Sequence, residues 1–108
     1  MRKNGIPEEQ IIHMAYDDIA HNLRNPFKGK IFNKPDPNGP GVDVYEGCKI
    51  DYSGIHVNSF KVLDVLRGDS KKAGGKVLKS NENSKVFFYF ADHGAYGLIA
   101  MPGIGPFI

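Results

Sequence analysis

The strongest hydrophobic signal in the chain is Val86-Phe87-Phe88-Tyr89-Phe90, five consecutive β-branched or aromatic residues without polar alternation. A run of this kind predicts a strand buried on both faces, as in a parallel sheet covered by helices. It stops abruptly at Asp92-His93-Gly94. Ile12, Tyr16, Ile19 and Leu23 share a helical spacing, yet Ile11–Tyr16 is also a short apolar block ended by Asp17-Asp18. Pattern alone leaves helix and strand open there. From Asn58, a plausible N-cap, the apolar positions Val62, Leu63, Val65 and Leu66 predict a helix that Gly68 stops. Residues 67–75 read as a polar, glycine-rich loop. Residues 25–54 form a long excursion rich in turn formers, with a short edge strand expected at Val42–Tyr45. Tyr96–Met101 suits a short returning strand. The order strand, loop, helix, strand predicts an α/β fold.

At 108 residues the chain has room for one domain. A net charge of +2, with basic residues scattered, lacks the basic stripe that nucleic acid requires, so nucleic acid is not expected as a partner. No apolar run approaches membrane-span length. The single cysteine, Cys48, excludes an internal disulfide framework and reads as a free, partly buried thiol. There is no Asn-x-Ser/Thr sequon.

Chemistry in open α/β sheets gathers beyond the carboxyl ends of strands. That makes His93, between a carboxylate and a glycine, the candidate catalytic group. His13, His21 and His56 lack motif support. Asp17 and Asp18 look like a carboxylate pair, but successive strand residues face opposite ways and cannot chelate one ion, so they read as a strand-end turn. No His/Asp/Glu spacing resembles a metal ligand set, and neither a metal nor a cofactor is expected.

The motifs Tyr16-Asp17-Asp18-Ile19-Ala20, Asn25-Pro26-Phe27, Asn33-Lys34-Pro35, Asp43-Val44-Tyr45-Glu46-Gly47 and Asp51-Tyr52-Ser53-Gly54 occur in that order. Val65-Leu66-Arg67-Gly68-Asp69, Gly75-Lys76-Val77-Leu78 and Phe88-Tyr89-Phe90-Ala91-Asp92-His93-Gly94 follow. Together they resemble the legumain family of asparaginyl endopeptidases across residues 4–102, with 103–108 a divergent tail. The resemblance implies a partial caspase-like fold, a mostly parallel sheet with flanking helices, in which residues 10–18 form a central strand. It implies cleavage after Asn, less readily Asp, through a Cys/His acyl-enzyme in lysosomal, endosomal, vacuolar or secretory settings. His93 would be the general acid/base, Gly94 a backbone donor to the oxyanion, and Asp92 a neighbour able to cyclise to a succinimide.

The family nucleophile sits in a Glu-Ala-Cys type motif after the histidine strand, and no such residue is present here; Cys48 does not match it. The family's pocket arginine and histidine-orienting asparagine would precede residue 1. The expectation is therefore a truncated or mis-spliced product, inactive alone. The nearest rival is the catalytic subunit of the glycolipid-anchor transamidase, although Asp92 stands where that family tends to have Gly. A non-catalytic interaction fragment is the other rival, with integrin contact through Arg67-Gly68-Asp69; a helix end followed by a loop explains that tripeptide more simply.

Overall fold

The first regular element follows from its ends. In the computed structural model, which describes residues 1–102, helix α1 spans Ser59–Leu66. The Asn58 side chain accepts the Lys61 N–H at 2.9 Å, as its N-cap role predicts. At the other end Gly68 adopts φ +73, a left-handed conformation that glycine enters without steric cost. Gly68 N–H then donates to Val65 O, and Asp69 N–H to Asp64 O, the paired bonds that close a helix on a left-handed glycine. Val62 and Val65 are buried on one face.

The loop expected at 67–75 contains a second helix, α2, at Ser70–Ala73. Asp69 caps it, its carboxylate accepting Lys72 N–H at 3.1 Å, and Gly74 terminates it at φ +69. Asp69 thus closes one helix and opens the next. The two helices pack together, and Val65 and Ala73 join Tyr52 and Val77 in the core, with Ile12, Met14 and Leu78 against it. Each fully buried valine contributes about 1.5–3 kcal/mol.

Residues 11–16 resolve the helix-or-strand ambiguity toward extended chain. A single 3-10 turn at Glu8–Gln10 gives way to Ile11 at φ −103, ψ 118. Tyr52 N–H donates to His13 O and Ala15 N–H to Tyr52 O, forming a parallel bridge between Met14 and Tyr52. The expected central strand is thus reduced to one bridged residue pair. The pairing ends where Asp17 turns to φ +65. This also corrects the premise about Asp17 and Asp18, which are not successive strand residues.

An ion pair locks this crossing. Lys76 Nζ lies 2.8 Å from Asp51 Oδ1, and the Asp51 side chain keeps only 8 % of its surface exposed. Asp51 Oδ2 accepts His13 N–H, while Lys76 Nζ also donates to Ile11 O and Glu8 O. Burial pushes the Asp51 carboxyl up, but the Lys76 ammonium and the His13 N–H outweigh it, leaving the pKa below the usual aspartate value. The Tyr52 hydroxyl donates to Lys76 O at 2.6 Å.

The excursion is held by side chains rather than by a sheet. Asn25 Nδ2 donates to three carbonyls, Ile19, Ala20 and Lys30. Asp43 Oδ1 accepts both Ile31 N–H and Tyr45 N–H. The Ile31 N–H chiefly holds the Asp43 carboxyl below its ordinary range. In place of the expected strand at 42–45 there is one antiparallel bridge, Phe32 to Asp43.

The strand expected at 86–90 does not form. Val86, Phe87, Phe88 and Tyr89 are 52–78 % exposed. Their backbone groups make no hydrogen bonds among the described residues. β-propensity measures fit to lateral neighbours as much as backbone preference, and no neighbouring strand lies alongside this segment among the described residues. Among the described residues the chain is a small mixture of helix and strand, without a full parallel sheet. The only two-stranded sheet among the described residues is antiparallel, β1 (Gly94–Ala95) with β2 (Leu98–Ile99), the latter within the expected returning strand. The tail at 103–108 lies outside the described residues.

Candidate active site

Asp92, His93 and Gly94 stand where the exposed apolar segment meets the β1–β2 hairpin. Gly94 pairs with Ile99 and Ala95 with Leu98, leaving Tyr96-Gly97 as the turn. Gly97 takes φ +76, the left-handed value such a turn needs at its second position. Ala100 N–H donates to His93 O at 2.9 Å, so the histidine backbone is tied across the hairpin base. A Cβ on Gly94 would stand 3.1 Å from Leu98 O, which gives the glycine a packing reason of its own.

The His93 side chain is exposed, and its ring forms no hydrogen bond among the described residues. Asp92 Oδ1 accepts the His93 backbone N–H at 2.7 Å. The carboxylate therefore contacts the histidine's main chain rather than its imidazole. An exposed imidazole on a hairpin-anchored backbone can reach a substrate and exchange protons with water.

Cys48 sits elsewhere. Its Sγ–H donates to Val44 O at 3.2 Å, and the thiol is exposed, not partly buried as its sequence setting suggested. It lines a surface cavity of about 430 Å³ with Lys28, Lys30, Asp43, Tyr45 and Glu46. Neither that cavity nor the Cys48 hydrogen bond includes His93. Asp17 accepts the Tyr45 hydroxyl at 2.9 Å, which raises the tyrosine pKa and ties the excursion to the end of the 11–16 segment. No group of three or more His, Cys, Asp or Glu side chains could hold a metal among the described residues.

Gly68 and Asp69 of the Arg67-Gly68-Asp69 tripeptide are both occupied by helix closure and capping. The residues that sequence reasoning passed over are Asp51 and Lys76. Their pairing spans 25 positions and leaves no local periodic trace; the nearest signal was their place inside two of the ordered motifs. No helix among the described residues is long and apolar enough to cross a membrane.

Comparison with known proteins agrees with the ordered motifs. The chain is 61 % identical over 102 residues to a hemoglobinase of Schistosoma mansoni, covering 94 % of this chain and 23 % of that protein. It is 49 % identical over 106 residues to a legumain of Rattus norvegicus, at 94 % and 23 % coverage. To the vacuolar-processing enzyme delta-isozyme of Arabidopsis thaliana it is 48 % identical over 105 residues, at 94 % and 22 %. The chain spans less than a quarter of the length of these curated relatives. Residues 1–107 match the Peptidase C13 family. With that match covering nearly its whole length, the chain belongs to the peptidase C13 family.

Proposed function

We propose that the chain is the histidine-bearing portion of a legumain-like cysteine endopeptidase that cleaves after Asn, less readily after Asp. The observation that carries this is the exposed His93 imidazole on a hydrogen-bonded hairpin base, within a family match spanning residues 1–107. A cysteine thiolate attacks the scissile carbonyl; the C–S bond forms, and the C–N bond breaks as His93 gives its proton to the leaving amine. Water then releases the acyl group. Gly94 N–H stabilises the developing oxyanion. Cys48 is not assigned the thiolate, because it does not match the family's nucleophile motif and His93 does not line its cavity. Relatives named legumain and vacuolar-processing enzyme support an endolysosomal or vacuolar setting.

The test is a chimera in which residues 4–102 replace the matching stretch of the Schistosoma mansoni hemoglobinase. It is expected to cleave an Ala-Ala-Asn reporter, and His93→Ala to lower kcat/KM by roughly a hundred- to ten-thousand-fold. A His93→Ala chimera within a factor of about five of its parent would overturn the role, being far below that range. The 108-residue polypeptide alone is expected to release no product.

Asp92 carries a second chemistry in this reading. The His93 amide nitrogen already contacts its carboxylate, so bonding of that nitrogen to Cγ, with loss of water, closes a succinimide. Peptide mapping after acid incubation should find a dehydrated Asp92 peptide. Only unmodified peptide, in wild type and in an Asp92→Asn control alike, would count against it. Receptor contact through Arg67-Gly68-Asp69 is the weaker partner reading, since Asp69 must leave its capping bond to be recognised. Asp69→Glu tests it in an adhesion assay.

A further inference from the structure

His93 is held in place by few bonds. Its N–H is taken by the carboxylate of the adjacent Asp92, which fixes nothing relative to the rest of the chain. Its carbonyl differs, accepting Ala100 N–H at 2.9 Å across the base of the β1–β2 hairpin. Among the described residues this is the only hydrogen bond from His93 to a non-adjacent residue. The hairpin therefore aims the imidazole, and the turn Tyr96-Gly97 closes the hairpin.

We infer, on the reading of His93 given above, that Gly97 is a positioning residue for the histidine chemistry. It acts through the turn, the hairpin base and the His93 carbonyl. Gly97 sits at φ +76 while Tyr96 before it does not enter the left-handed region. A turn of that pattern takes glycine, or asparagine, at its second central position. A Cβ on Gly97 would meet nothing within 4 Å, so a side chain there costs backbone conformation and causes no crowding. The ladder has two residue pairs, Gly94 with Ile99 and Ala95 with Leu98, and so few pairs leave closure of the base dependent on the turn.

Gly74 supplies a matched comparison. It lies at φ +69 after α2, and a Cβ there also meets nothing within 4 Å. Alanine therefore meets the same backbone cost at both positions. At Gly74 the cost falls on a helix that packs Ala73 into the core. At Gly97 it falls on the ladder that carries His93. A base that opens or tilts displaces the imidazole, and a misplacement of about 1 Å can lower a rate by about a hundredfold.

Two measurements test the role. In the full 108-residue chain, amide exchange at Ala100 reads closure of the base directly. Gly97→Ala is expected to speed that exchange by roughly five- to thirty-fold. Gly97→Asn should leave it within about twofold of wild type, and Gly74→Ala should leave it unchanged. In the hemoglobinase chimera, Gly97→Ala is expected to lower kcat by roughly fivefold or more with KM unchanged, the signature of lost alignment rather than lost binding. Gly97→Asn should keep the parent's kcat, and Gly74→Ala should keep both constants. An Ala100 amide that exchanges in the wild-type chain as fast as in an unfolded peptide would overturn the inference. So would a Gly97→Ala chimera with the parent's kcat, or a Gly97→Asn chimera no better than Gly97→Ala. The two levels separate cleanly. A His93→Ala chimera that keeps its activity removes the reading on which the role rests. An impaired His93→Ala chimera beside an unimpaired Gly97→Ala one removes the positioning role alone.

Discussion

Replacing Asp51 should loosen the crossing on which the fold is built. The carboxylate accepts from Lys76 at 2.8 Å and from His13 N–H at 2.9 Å. Breaking a buried pair from one side costs about 3–5 kcal/mol. Lys76 keeps 23 % of its side-chain surface exposed and retains the Ile11 and Glu8 carbonyls, so the loss for Asp51→Asn is nearer ~2 kcal/mol. Asp51→Ala also orphans the His13 N–H and should cost roughly 1 kcal/mol more. With a urea m-value of about 1 kcal/mol/M, the midpoints should fall by about 2 M and 3 M. The pH dependence has a defined sign. Because the folded-state pKa is depressed, this contribution is complete above the ordinary aspartate pKa of about 3.9 and is lost as pH falls through the lower folded value. Asp51→Asn should flatten that acid limb and leave stability unchanged in slope between about pH 5 and 7. A double-mutant cycle with Lys76→Met should show coupling of about 1–2 kcal/mol. An Asp51→Asn midpoint equal to wild type, with no coupling to Lys76, would refute the reasoning.

Two further substitutions probe the helices. Gly68→Ala places a Cβ 2.9 Å from Leu78 O at φ +73, whereas Gly74→Ala at φ +69 meets nothing within 4 Å. Thermal melts should show about 1–2 kcal/mol lost at Gly74 from backbone conformation alone, and more at Gly68; equal losses would mean that the Leu78 carbonyl moves aside. Ser59 is fully buried, and its hydroxyl has no partner among the described residues. Ser59→Ala should therefore stabilise the chain by about 1 kcal/mol, and a destabilised variant in urea melts would show that the hydroxyl is satisfied after all.

What the sequence made legible was local. Helix α1 was readable because its cap Asn58, its apolar face and its stop at Gly68 lie within eleven residues and agree. Helix α2 carries the same kind of signal in Asp69 and Gly74, but four residues give no periodicity, and its polar surface reads as loop. The 86–90 segment shows the reverse: its propensity predicts a paired strand, but a strand exists only where something lies alongside it, and nothing does among the described residues. The Asp51–Lys76 pair and the left-handed turn at Asp17 depend on segments distant in sequence, which no window can see. At the site, the place of His93 after the apolar run makes it the candidate, and the coordinates add its exposure and its tie across the hairpin base. The contact of Asp92 with the backbone N–H, and the exposure of Cys48, required coordinates.

Tyr52 sets an order of events during folding. Its backbone bonds to His13 and Ala15, nearly forty positions earlier, and its hydroxyl to Lys76, twenty-four positions later. The α1–α2 hairpin closes over a few residues, whereas residues 11–15 must wait until both long loops have been drawn shut around one phenol ring. Until then the chain carries its earliest apolar stretch uncovered.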